Sequence, residues 1–139
     1  DTAALDALKA IGAERKIKMI PLASSAPFHS ERMEPAARVL EKEFEAITFE
    51  VPQVPAVMNV DAAVESDPTA IKQKLVRQAM APVLWEKTLL TMQEMGVDTF
   101  VEVGPGKTLS GFVKKTCKGA SIHRVENQAT LEETLAALA

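Results

Sequence analysis

The sequence has no tyrosine, one tryptophan and one cysteine among its 139 residues. A lone Cys117 excludes an internal disulfide and a cysteine-rich metal site. A basic excess is lacking as well. Sixteen Lys and Arg against nineteen Asp and Glu leave a formal charge of −3, which speaks against nucleic acid as a partner. No apolar run approaches the roughly 18 residues of a membrane-spanning helix. No basic-then-apolar signal segment opens the chain, so a cytoplasmic location is expected. Internal repeats, low-complexity tracts and Gly/Ser linkers are missing too. So is G-x-S-x-G, the elbow that lifts a nucleophilic serine above an α/β sheet. Ser24, Ser25, Ser30, Ser66, Ser110 and Ser121 all stand in other settings.

What is present is the balance of a globular chain, 47% apolar and 25% charged. The length is that of one ordinary domain. A compact chain of this size buries about 70% of its unfolded surface, enough for a core without covalent staples. Helical and strand periods alternate, which predicts an α/β architecture.

Asp1 and Thr2 cap a predicted helix that carries Leu5, Leu8 and Ile11 and stops at Gly12. The chain therefore starts at a helix entrance and reads as a cut piece of a longer one. Residues 16–22 read as a strand ending near Pro21. Residues 23–30 form a loop, and 30–33 lead into a helix with Pro35 in its first turn and Met33, Ala37, Leu40 and Phe44 on one face. Residues 47–50 and 55–60 are strand candidates. Asp67-Pro68 starts a helix through Ile71, Leu75 and Ala79. Ala81-Pro82 starts the next, with Trp85, Leu89 and Met92 inward and a stop at Gly96. Thr99–Val103 is a strand, Gly104-Pro105-Gly106 a turn, and Leu109, Phe112 and Val113 the face of another helix. Residues 121–125 form a last strand. Thr130 and Glu133 form the capping box of a final helix bearing Leu131, Leu135 and Leu138.

Few residues invite chemistry. His29 stands in a loop between a strand and a helix, and histidine is the side chain most easily set as a general base near neutral pH. Alone, it reads more simply as a surface-loop histidine. His123 has no metal-ligand spacing around it, so no metal is expected. Gly104–Thr108 echoes the end of a phosphate-binding loop, but the glycine that pattern needs five positions before Gly106 is Val101. A tight strand-to-helix turn is the simpler reading. Lys114, Lys115 and Lys118 flank Cys117 and would lower its pKa if they face it; a solvated helix face is the simpler reading there as well.

Four stretches, taken jointly, resemble the malonyl-CoA:acyl-carrier-protein transacylase family of fatty acid and polyketide synthesis. They are Ser24-Ser25-Ala26-Pro27-Phe28-His29-Ser30 with Met33 and Pro35; Val54-Pro55-Ala56-Val57-Met58-Asn59-Val60-Asp61; Leu75-Val76-Arg77-Gln78 with Pro82-Val83 and Trp85; and Phe100-Val101-Glu102-Val103-Gly104-Pro105-Gly106-Lys107-Thr108-Leu109. The order and spacing are the family's, from about residue 20 onward. The resemblance implies a transferase that moves malonyl from coenzyme A to the phosphopantetheine thiol of acyl carrier protein through a serine ester. It implies no permanently bound cofactor, coenzyme A thioester being the substrate. On this resemblance His29 matches the general base and Gln78 a position whose main-chain carbonyl orients it. Asn59 is a supporting residue beside the site, and Phe28 resembles the aromatic wall of enzymes that choose malonyl over methylmalonyl.

The family's elbow serine, its N-terminal glutamine loop and the arginine that grips malonate's carboxylate have no counterpart in this sequence. Ala81 replaces an asparagine often found before the Pro-Val-x-Trp stretch. The resemblance therefore covers a C-terminal portion of the family, somewhat under half. The implied fold is the C-terminal part of an α/β-hydrolase-like core (25–139) preceded by the remnant of a ferredoxin-like small subdomain (1–24). The implied partners are malonyl-CoA, acyl carrier protein and the N-terminal portion that bears the serine, with no nucleic acid and no membrane. Without that portion the chain is expected to be inactive. Two other readings stay open: a noncatalytic acyltransferase-like binding or scaffold module, and a nucleotide-binding module built on Gly104–Thr108.

Overall fold

The computed structural model describes residues 2–21 and 26–139. Asp1 and residues 22–25 of the expected strand end and loop lie outside that description. Among the described residues, six α-helices and four short strands form a mixed α/β arrangement.

Helix α1 spans Thr2–Glu14. Gly12 does not end it. The glycine lies inside the helix because the chain folds back closely: a Cβ there would stand 2.5 Å from Met19 Cγ. The helix ends instead at a Schellman turn. The Ile17 N–H donates to the Gly12 carbonyl at 2.8 Å and the Lys16 N–H to Ala13 at 3.1 Å, with Lys16 left-handed at φ 56°. The strand expected over 16–22 is not formed by the described residues 16–21. A strand exists only by pairing, and neither described sheet reaches this segment.

A 3-10 turn, Glu31–Met33, leads into α2, Glu34–Glu45, with Pro35 in its first turn where a missing N–H costs nothing. Ala37 is its buried residue. The strand expected over 47–50 is likewise unpaired. Phe49 instead turns its ring onto Phe44, edge-to-face at 5.3 Å. The strand expected over 55–60 shrinks to β1, Ala56–Val57, paired antiparallel with β2, Val64–Glu65. Between them lies a tight turn in which Met58, Val60 and Ala62 are buried. Helix α3, Pro68–Gln78, begins as expected, with the Asp67 carboxylate accepting from the Ala70 N–H at 2.7 Å. It packs on α2.

Helix α4 spans Trp85–Glu94 and starts three residues later than Pro82. Leu84 is its N-cap, with ψ 50° outside the helical range, and its N–H donates to the Asn59 carbonyl at 2.9 Å. Strand β3, Thr99–Val103, and β4, Ser121–Val125, pair in parallel and are joined by α5, Thr108–Thr116. Leu89, Val113 and Cys117 form the core beneath this βαβ unit, with Trp85, Phe100, Ala120 and Ile122 against it. Helix α6, Gln128–Leu138, packs on β4. Its cap differs from expectation. Asn127 is the N-cap and accepts from the Thr130 N–H at 3.1 Å, while Thr130 Oγ1 accepts from the Asn127 N–H at 3.0 Å. Thr130 is thus the third helical residue, one turn inside the helix, and Glu133 lies outside the box.

The surface is large for the mass. The chain exposes 10379 Å², where a compact 15.0 kDa monomer exposes roughly 7,000 Å². The length allows a core without staples, yet much of this chain's apolar surface stays outside one. Ile20 is 69% exposed and Val103 78%, and Leu5, Leu8 and Ile11 of α1 are also exposed.

Candidate active site

His29 lies in the loop before α2, in a left-handed conformation at φ 59°. For a residue with a Cβ that conformation costs roughly 1–2 kcal/mol and must be held by its surroundings. Two contacts hold it. Ser30 Oγ donates to the Pro27 carbonyl at 2.6 Å. The ring Nδ1 of His29 stands 3.0 Å from the main-chain oxygen of Gln78, at the end of α3 and 49 residues away. A carbonyl oxygen has no proton to give, so Nδ1 is the donor. In the neutral ring the second nitrogen, Nε2, then carries the free lone pair. The ring is exposed.

Of the other residues singled out in the sequence, only Phe28 adjoins His29 in the chain. Phe28 precedes the histidine with 61% of its surface exposed. Asn59 sits in the β1–β2 turn. Its carbonyl accepts from Leu84, and its buried side-chain oxygen has no hydrogen-bond partner among the described residues. No hydrogen bond joins Asn59 to His29 among those residues. His123 is a partly buried residue of β4, paired with Val101. No group of three metal-ligating side chains occurs among the described residues.

The Gly104–Thr108 turn is filled from within. Gly104 and Gly106 adopt φ 133° and 92°, which lets the chain reverse tightly after β3. The Glu102 carboxylate then folds onto the start of α5, where it accepts from the N–H groups of Leu109 (3.1 Å) and Ser110 (2.8 Å) and from the Ser110 hydroxyl. The hydroxyl and then the amides hold the Glu102 pKa below its ordinary value. A helix N-terminus that already holds its own carboxylate is not an open phosphate cradle, and this removes the nucleotide reading. Cys117 also differs from the activated thiol considered above. Its side chain points into the core, and burial pushes its pKa up.

One cluster was invisible in the sequence. Lys74 of α3 is clamped between Asp61 (2.8 Å) and Glu65 (2.9 Å) of the β1–β2 hairpin. Nine to thirteen residues separate the partners, so no local spacing announces it. The Lys74 ammonium, with the Asp67 and Ser66 amides, lowers the Glu65 pKa to about 2. Lys74 also lowers that of Asp61.

No protein-family model matches the chain. Individual relatives do. The malonyl CoA-acyl carrier protein transacylase of Bacillus subtilis is 41% identical over 115 residues, covering 83% of this chain and 36% of the relative. That of Salmonella typhimurium is 41% identical over 129 residues, 93% of this chain and 41% of the relative. Among solved structures, the transacylase of Xanthomonas oryzae superposes with a TM-score of 0.88 at 36% identity, over 99% of this chain and 44% of that one. A malonyl-transacylase in complex with a type II PKS acyl-carrier protein matches with a TM-score of 0.82 at 40% identity, over 95% of this chain and 42% of the other. The chain spans about two fifths of the length of the curated relatives it matches. Over nearly its whole length, in sequence and in fold, it is related to part of the malonyl CoA-acyl carrier protein transacylases.

Proposed function

We propose that this chain is the C-terminal portion of a malonyl-CoA:acyl-carrier-protein transacylase, with His29 as its general base. The observation that carries the reading is the 3.0 Å contact between His29 Nδ1 and the Gln78 carbonyl. It fixes the ring and leaves Nε2 free to accept a proton. A serine on the N-terminal portion attacks the thioester carbon of malonyl-CoA while its proton passes to Nε2. The carbon–sulfur bond breaks, the proton goes to the departing coenzyme A sulfur, and malonyl remains as a serine ester. The phosphopantetheine thiol of acyl carrier protein then gives its proton to Nε2 and takes the malonyl, and the serine recovers its proton. Base catalysis of this kind contributes about 10²–10⁴-fold.

The relatives' names support malonyl-CoA as donor, and the matched complex supports acyl carrier protein as acceptor. Phe28 supplies an aromatic wall that disfavours an added methyl by about 1–3 kcal/mol, which leans the choice to malonyl. Asn59 supports the site from the hairpin. No bound cofactor is needed, and the site of action is cytoplasmic. In this reading residues 1–24 close a ferredoxin-like small subdomain and 25–139 belong to an α/β-hydrolase-like core. The exposed apolar surface is where the N-terminal portion seats.

The test uses the complete enzyme containing this chain. His29→Ala is expected to lower malonyl transfer by about 10²–10⁴-fold. Gln78→Ala is expected to leave it nearly unchanged, since the main-chain oxygen survives. Near-normal transfer by His29→Ala would end the reading.

A further inference from the structure

We infer that Lys74, clamped between Asp61 and Glu65, fixes where the Gln78 carbonyl stands and so acts on His29 as a positioning residue. Lys74 lies one helical turn before Gln78 on α3, at the i, i+4 spacing that places both on one face. Its ammonium reaches two carboxylates on different parts of one hairpin: Asp61 in the turn and Glu65 on β2. Both acceptors are themselves held. Asp61 accepts from the Ala63 N–H at 3.2 Å, and Glu65 from the Ser66 and Asp67 N–H groups at 2.9 and 3.0 Å. The clamp thus joins α3 to a rigid object.

The chain returns to the same object on the far side of Gln78. The Leu84 N–H donates to Asn59 in the turn, and Thr91 Oγ1 donates to the Ala62 carbonyl at 2.8 Å. Gln78 is therefore suspended between two attachments to one hairpin, Lys74 before it and Leu84 after it. The N-cap at Asp67 lies at the other end of α3 and does not substitute for this registration. If the clamp opens, the last turn of α3 shifts against the hairpin and the carbonyl moves from the histidine.

Only the catalytic meaning of this inference rests on His29 being the base; the geometry can be tested without activity. The complete enzyme containing this chain, with only this portion labelled with nitrogen-15, is observed by long-range proton–nitrogen spectroscopy at a pH where the imidazole is neutral. The signals of the two histidines are separated with His123→Gln. The wild-type His29 ring is expected as the Nδ1–H tautomer. In Lys74→Met the ratio of Nδ1–H to Nε2–H should fall about fivefold, the loss of one ordinary hydrogen bond. Lys74→Arg, which restores both ion pairs, should return it. Asp67→Ala, which weakens the far end of α3, should leave it unchanged. An unaltered ratio in Lys74→Met would overturn the inference, and so would an equal fall in Asp67→Ala. Should Lys74→Met fail to fold, Glu65→Gln is read in the same way, with a smaller fall expected and no fall counting against. An unchanged tautomer leaves the acyl-transfer assay of His29→Ala standing, and a failed transfer assay leaves the tautomer result standing.

Discussion

Glu65 is a residue through which pH should act on stability. Its pKa stands at about 2 in the folded chain against an ordinary 4.5, because Lys74 and two amides favour the carboxylate. A depressed carboxylate contributes stability that is full above its unfolded value and is lost as pH falls through its folded one. The window therefore runs from about 4.5 down to about 2. Asp61 adds to it in the same direction. Thermal melts of the complete enzyme taken down that window should show wild type losing more stability than Lys74→Met, which lacks the cation. Parallel curves for the two proteins would show that the clamp contributes nothing. None of this was legible in the sequence. Asp61, Glu65 and Lys74 look there like three surface charges. By contrast, Asp67-Pro68 was legible because a cap and a fixed φ act within four residues.

At the scale of elements, the same distinction separates what could be read from what could not. Strands 99–103 and 121–125 and helix α3 were readable because period and punctuation are local. Segments 16–22 and 47–50 carry strand-like composition, but pairing is a property of two segments, and β-propensity states only that a residue suits a pleated surface. The cap of α6 was misassigned because a Thr at the third helical position and an Asn at the N-cap each offer an oxygen, and only φ distinguishes them: Asn127 is extended at −154°. The His29–Gln78 contact left no local mark at all. From the residues His29 was one histidine in a loop, and its partner was reached only through the family resemblance.

The end of α1 yields a prediction at this scale. Lys16 occupies the left-handed position that glycine usually fills in a Schellman turn. Lys16→Gly is expected to stabilise the complete enzyme by about 1 kcal/mol, read from urea unfolding. A loss of stability instead would mean that the lysine side chain holds something the turn needs.

For the whole molecule, the decisive quantity is surface. The 10379 Å² exposed exceeds the roughly 7,000 Å² of a compact chain by about 3,000 Å². One partner in a standard interface loses about 800 Å². The excess is of the order found between halves of one folded body, and it includes Val103 at the end of β3 and the apolar residues of α1. The isolated chain should therefore bind a hydrophobic dye and self-associate. Mixing it with the matching N-terminal portion should abolish dye binding and raise the melting temperature. A monomeric, cooperatively melting chain that ignores that portion would count against the proposed origin.

The oxygen that orients His29 belongs to the backbone, and this shapes what heredity can do to it. No codon encodes that atom, so no single replacement at position 78 deletes it. A mutational survey would score the position as tolerant and pass over the contact. Damage would surface elsewhere: at prolines introduced after Gln78, which bend the main chain away, and among the charged residues that keep α3 in register.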